Sequence, residues 1–148
     1  ALFAGGTPKD GSLVVDAYDA SLTLTAAANL SSAQNSYAAA AVGGYALFAG
    51  DTADADVYDA SLTKTTVSIL SAARQPDAVT AGGYAFFAGG DESGTVDVCD
   101  ASLTRTTLTA LSEARDSMAA AAVGDYVLFA GGRNTESLYH DTVDVYTI

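Results

Sequence analysis

The chain has 148 residues, of which 49% are hydrophobic and only 16% charged, a balance that excludes a disordered chain and supports one domain-sized core. Six basic residues against eighteen acidic ones leave a formal net charge of −12, which argues against nucleic acid or an anionic membrane surface as a partner. The single Cys99 excludes an internal disulfide framework and a multi-cysteine zinc site, and no apolar run approaches the roughly 18 residues of a membrane-spanning helix.

Read in chain order, one phrase returns four times: ALFAGG at Ala1 to Gly6, YALFAGD at Tyr45 to Asp51, YAFFAGG at Tyr84 to Gly90 and YVLFAGG at Tyr126 to Gly132. A second phrase follows each of them. It is DAYDASLT ending at Thr23, VYDASLT ending at Thr63, VCDASLT ending at Thr104, and VYTI at the C-terminus. Between Gly6, Asp51, Gly90 and Gly132 the spacings are 45, 39 and 42 residues. A period of this size is the signature of a repeat architecture.

Within one repeat, short runs rich in Val, Thr, Tyr, Phe and Ala alternate with Gly, Asp and Ser, which predicts strands. In the second repeat these are Tyr37 to Val42, Tyr45 to Ala49, Asp56 to Ala60 and Leu62 to Leu70. Alanine prefers helix, but alanine runs of about six residues ending at glycine are too short for a stable one. The order of the runs predicts a four-stranded antiparallel blade. Small alanines (Ala38 to Ala41, Ala78 to Ala81 apart from Thr80, Ala119 to Ala122) suit a crowded inner strand, and the threonine-rich fourth run suits the wet rim. The apolar second strand predicts that Leu47, Phe48, Phe86, Phe87, Leu128 and Phe129 are buried between blades. The expected fold class is all-β, with blades at about 1–30, 35–70, 77–111 and 118–148 in a single repeat domain.

These repeats resemble kelch-type β-propeller repeats. Counted from Asp59, the positions 6, 8, 11 and 15 residues on hold Thr65, Val67, Leu70 and Arg74; from Asp100 they hold Thr106, Leu108, Leu111 and Arg115. From Asp19 they hold Thr25, Ala27, Leu30 and Gln34. The double glycine is present at Gly5-Gly6, Gly89-Gly90 and Gly131-Gly132, and becomes Gly50-Asp51 once. The third-strand aromatic is Tyr18, Tyr58 and Tyr146, with Cys99 in its place once. Threonine stands where kelch repeats usually carry tryptophan, and the DASLTxT wording resembles alanine- and threonine-rich kelch-like repeats of bacterial and prophage proteins. Fourteen strands over four blade positions are fewer than six or seven blades of this period, which would need roughly 250–300 residues. The expectation is therefore a partial propeller, or a ring completed by self-association or by further blades. A four-bladed ring and a β-solenoid remain the alternatives.

The resemblance implies a ring mouth formed by the connections between blades and by the loops after the double glycines. Its candidate ligand-binding residues are Gln34, Arg74 and Arg115 in the connections, and Asp51, Asp91 and Arg133 in the loops. The competing reading of the two arginines is a staple between blades through a neighbouring acid such as Asp77 or Asp116. No cofactor, metal site or catalytic residue is expected. His140 lacks a partner at ligand spacing, Cys99 reads as a small buried hydrophobe, and Asp51, Asp54 and Asp56 lack the glycine and closing glutamate of a calcium loop. The copper oxidases that share the kelch propeller need a Tyr, Cys and His constellation that one histidine does not supply. The function expected is a non-enzymatic binding or scaffold module gripping a protein segment or a glycan. The alternatives are a fragment of a propeller enzyme, sugar-active or oxidase, and a structural repeat assembling on a cell surface or virion.

Overall fold

The computed structural model describes residues 1–5, 13–33 and 37–148. Among them there is no helix, and fourteen strands form four antiparallel sheets. Sheet 1 holds β1 (Leu2–Ala4), β2 (Val15–Tyr18) and β3 (Leu24–Ala26). Sheet 2 holds β4 (Ala38–Val42), β5 (Tyr45–Ala49), β6 (Asp54–Tyr58) and β7 (Lys64–Ser68). Sheet 3 holds β8 (Asp77–Ala81), β9 (Tyr84–Ala88), β10 (Val96–Cys99) and β11 (Arg105–Thr107). Sheet 4 holds β12 (Ala119–Val123), β13 (Tyr126–Ala130) and β14 (Val143–Thr147). In each sheet the strands lie side by side in chain order, as a meander.

The alanine runs are strands, and small side chains have the place expected for them. β8 lies between β4 and β12, so the first strands of adjacent sheets come closest together. There the hydroxyl of Thr80 donates to the Ala41 carbonyl at 2.9 Å and accepts the Ala41 amide at 3.1 Å. Thr80, the exception in its alanine run, joins two inner strands.

Apolar side chains fill the junctions between sheets. Leu47, Val57, Ile69, Leu70, Phe87 and Cys99 form the core between sheets 2 and 3. Phe86, Val96, Val98, Val127 and Phe129 belong to the core between sheets 3 and 4. Val15, Leu30, Phe48 and Tyr58 join sheets 1 and 2. Five of the six residues expected in the core are buried; Leu128 is only half-buried, because it points to the open face of sheet 4. The sheets do not close on one another, since Phe3 on sheet 1 is 63% exposed and Val145 on sheet 4 is 55% exposed.

Two strand boundaries differ from expectation. The third strand of the second repeat is Asp54–Tyr58, not Asp56 to Ala60, and the fourth is Lys64–Ser68, inside the wider run. Asp59 ends the third strand. Its carboxylate accepts the Ser61 amide at 2.9 Å, the Ser61 hydroxyl at 2.7 Å and the Thr63 amide at 2.9 Å, which turns the chain before a strand can continue.

Candidate functional site

In sheets 2 and 3 the loop between the second and third strands and the connection to the next sheet leave from the same strand end. Their residues are therefore brought together along one side. Glycine is required where they touch. Gly89 and Gly90 have φ of +67° and +78°, and a Cβ at Gly90 would lie 2.0 Å from the Gln75 carbonyl oxygen. Stripped of side chains, the loop of sheet 3 lies against two successive connections. The Gly90 amide donates to the Arg115 carbonyl at 2.9 Å, and Asp116 and Arg133 exchange backbone hydrogen bonds of 2.9 and 3.0 Å.

The two arginines singled out in the sequence are buried behind the loops of this side. The Arg74 side chain is fully buried; it donates to the carbonyls of Gly89 (3.0 Å) and Phe87 (2.9 Å) and to the Asp97 carboxylate (3.0 Å). Asp97 is fully buried as well, and Asp91 lies 4.0 Å from the same guanidinium. Burial pushes the Arg74 guanidinium below its ordinary pKa, against the pull of Asp97 and Asp91. Arg115 repeats the arrangement one junction on, donating to the carbonyls of Gly131 and Thr142 and to the Asp144 carboxylate. The acids are Asp97 and Asp144, not Asp77 or Asp116. Neither guanidinium is offered to a ligand, because the backbone carbonyls and a carboxylate of the next sheet use it.

The same junctions contain a residue that sequence reading passed over. The Ser71 amide and hydroxyl both donate to Asp97, at 2.7 and 2.8 Å. Ser31 does the same to Asp56, and the Ser112 amide donates to Asp144. The signal was present as Leu-Ser at a constant offset and a central aspartate in each third strand. At the first junction Gln34, in the arginine's place, lies outside the described residues, and Lys64 brings the positive charge. Its ammonium is 3.6 Å from Asp56 and donates to the Asn29 carbonyl at 2.7 Å.

The other candidates reach the loop side. Asp51 is exposed and accepts a hydrogen bond from the Gln75 amide group. Asp91 caps its own loop, accepting the Thr95 amide at 3.0 Å and the Ser93 amide at 3.2 Å. Burial alone would raise its carboxyl, but the hydrogen bonds of Thr95 and Ser93, with the charge of Arg74, hold it below the usual value. Arg133 is exposed and donates to Asp116 at 2.9 Å. Asp91, Glu92, Asp116, Arg133 and the rim of the buried Arg115 line one open cleft of about 160 Å3. Three of the six residues chosen from the sequence thus converge, while Asp51 and Arg74 do not line this cleft.

The aspartates Asp51, Asp54 and Asp56 do not gather: among the described residues no group of three or more His, Cys, Asp or Glu is arranged to hold a metal ion. His140 places Nδ1 2.6 Å from the Glu113 carboxylate. Cys99 is fully buried, and burial pushes its thiol up to about 11, so it is a thiol and not a nucleophilic thiolate at neutral pH. This chain matches no protein-family model and no curated protein.

Proposed function

We propose that the chain is a non-enzymatic binding or scaffold module of kelch-like repeats that takes its ligand along the loop side of the sheets. The observation that carries this reading is the cleft bordered by Asp91, Glu92, Asp116 and Arg133. Its walls are loops tied by backbone hydrogen bonds to rigid sheets, the usual setting for recognition. Carboxylates outnumber the one exposed guanidinium, and that guanidinium is already paired with Asp116. Such a cleft suits a ligand rich in hydrogen-bond donors: a basic protein segment or the hydroxyls of a glycan.

The test is to screen the chain against peptide and glycan arrays and titrate the hits by calorimetry. Glu92→Ala and Asp116→Ala should each weaken binding about tenfold, the scale of one lost charge-assisted contact. Asp19→Asn, in a turn at the opposite strand ends, should leave it unchanged. Binding that responds to Asp19→Asn and not to the cleft substitutions overturns the proposal, as does turnover of a bound glycan.

A further inference from the structure

Sheets 2, 3 and 4 each hold a third-strand aspartate that accepts from the serine of the preceding connection. In sheets 3 and 4 the chain also supplies a guanidinium there. Arg74 places Nε on the Gly89 carbonyl and its two terminal nitrogens on the Phe87 carbonyl and Asp97 Oδ2. In sheet 2 the same three acceptors are Gly50, Phe48 and Asp56, one repeat earlier, and all three residues are buried. The sequence has Gln34, not arginine, at this offset.

Among the described residues no side chain donates to the carbonyl of Phe48 or Gly50. Asp56 Oδ2 accepts the Ser31 amide at 2.7 Å, while the Ser31 hydroxyl (2.5 Å) and the Lys64 ammonium (3.6 Å) lie at Oδ1. In Asp97 the oxygen that accepts the serine amide is the one that also meets Arg74. Lys64 therefore meets Asp56 at a different oxygen from the one a guanidinium uses in sheet 3. A cavity of about 190 Å3 lies here, bordered by Phe48, Thr52, Asp54 and Asp56. A water needs only about 10–15 Å3 of such space. Thr52 is the counterpart of Asp91, which lies 4.0 Å from the Arg74 guanidinium. Three of the four residues around that guanidinium thus have their counterparts in the cavity wall, and Thr52 and Asp54 are exposed at its mouth.

We infer that the cavity between sheets 1 and 2 binds a guanidinium group from outside the chain, supplied by an arginine side chain of a protein segment. Buried acceptors left without a donor are costly, and a ligand that meets them recovers that cost. The acceptors are two carbonyls and a carboxylate, the set that a planar forked cation satisfies in sheet 3; an ammonium is a point charge without that fork. Strands β5 and β6 hold them in place before the ligand arrives, so little ordering opposes binding. Asp54 at the mouth and the net charge of −12 favour the approach of a cation. The site shares no residue with the cleft of Asp91, Glu92, Asp116 and Arg133, so it stands apart from the function proposed above.

The test is to titrate ethylguanidinium into the chain by two-dimensional NMR at fixed ionic strength, with ethylammonium as the control. Ethylguanidinium should bind with a Kd of about 1–10 mM, the scale open to so few ligand atoms, and shift the amides of Ser31, Phe48, Gly50 and Asp56. Ethylammonium should bind at least tenfold more weakly. A blocked Gly-Arg-Gly peptide should bind at least as tightly as ethylguanidinium. Asp56→Asn should weaken binding at least tenfold, with the fold followed by circular dichroism. Because Asp56 is buried, Gln34→Arg is the second variant: it puts arginine at the offset of Arg74 and Arg115 and should abolish binding. Wild-type chain that binds no ethylguanidinium, binds ethylammonium equally, or shifts only at other amides overturns the inference, as does binding that survives Gln34→Arg. Ethylguanidinium binding without peptide binding overturns the assignment to a protein arginine.

Discussion

Arg74 and Arg115 show how a residue that looks like a ligand clamp becomes a fastener. Each guanidinium takes two backbone carbonyls and one carboxylate of the adjoining sheet, so its charge and its hydrogen bonds are used inside the junction. A buried ion pair of this sort adds little net stability against apolar replacements of similar volume, yet breaking it on one side strands a charge. Arg74→Leu should therefore cost about 3–5 kcal/mol by urea unfolding, through the uncompensated Asp97. The double variant Arg74→Leu with Asp97→Leu should recover most of that loss. Equal losses in the single and double variants would mean that the pair is not coupled. Lys64 shows that the charge at this junction matters more than its source, since it reaches Asp56 from a different strand where the arginine position holds glutamine.

At the scale of the strand and turn, two devices repeat. The first is the turn D-x-S-x-T, used after the third strand at Asp19, Asp59 and Asp100 and again within the second loop at Asp91. The hydroxyl of Ser21, Ser61 or Ser102 and the amide of Thr23, Thr63 or Thr104 hold the carboxyls of Asp19, Asp59 and Asp100 below the usual carboxylate value. The turn forces its fourth residue into left-handed backbone: Leu22, Leu62 and Leu103 have φ near +62°, and Gly94 fills that place after Asp91. Leucine there is costly, and the aspartate hydrogen bonds offset it. The second device is volume exchange across a junction. Tyr58 and Tyr146 span their junctions and donate to the carbonyls of Ala28 and Thr109. Where Cys99 replaces that tyrosine, Ile69 stands at the position held by Asn29 and Ala110 elsewhere, and both are fully buried in one core. Cys99→Tyr should thus destabilise by about 1–3 kcal/mol through overpacking. Adding Ile69→Ala should restore part of it in thermal unfolding; no recovery would mean that the two side chains do not share that space.

For the whole molecule, stability is a sum over neighbours. Each sheet touches only the next, through an apolar junction and one Ser-Asp fastener with its cation, so unfolding should be graded along the row. Sheets 2 and 3 are covered on both faces, while sheets 1 and 4 leave Phe3, Val143 and Val145 to water. In hydrogen exchange at concentrations where the chain is monomeric, amides of β5, β6, β9 and β10 should exchange at least about tenfold more slowly than those of β2 and β13, a difference of about 1.4 kcal/mol. Uniform protection would show instead that the four sheets unfold as one unit.

Local sequence was enough to determine the repeat, the all-β fold and the strand order, because each depends on neighbours within about forty residues. Period, alternation and turn residues are local, and alanine runs closed by glycine leave room only for short strands. The convergence of Asp91 and Arg133 was legible for the same reason, since both follow a double glycine at one strand end. The end of the third strand was missed because Asp59 was counted inside it, when its carboxylate is spent on the turn. The acids that hold Arg74 and Arg115 were missed because they lie 23 and 29 residues away on another sheet. Only the tertiary structure sets which sheet face meets which, and that decision alone made Leu128 half-exposed while Phe129, one residue on, is fully buried. In a strand, neighbours point to opposite faces, and whether a face is core or surface depends on what lies across from it.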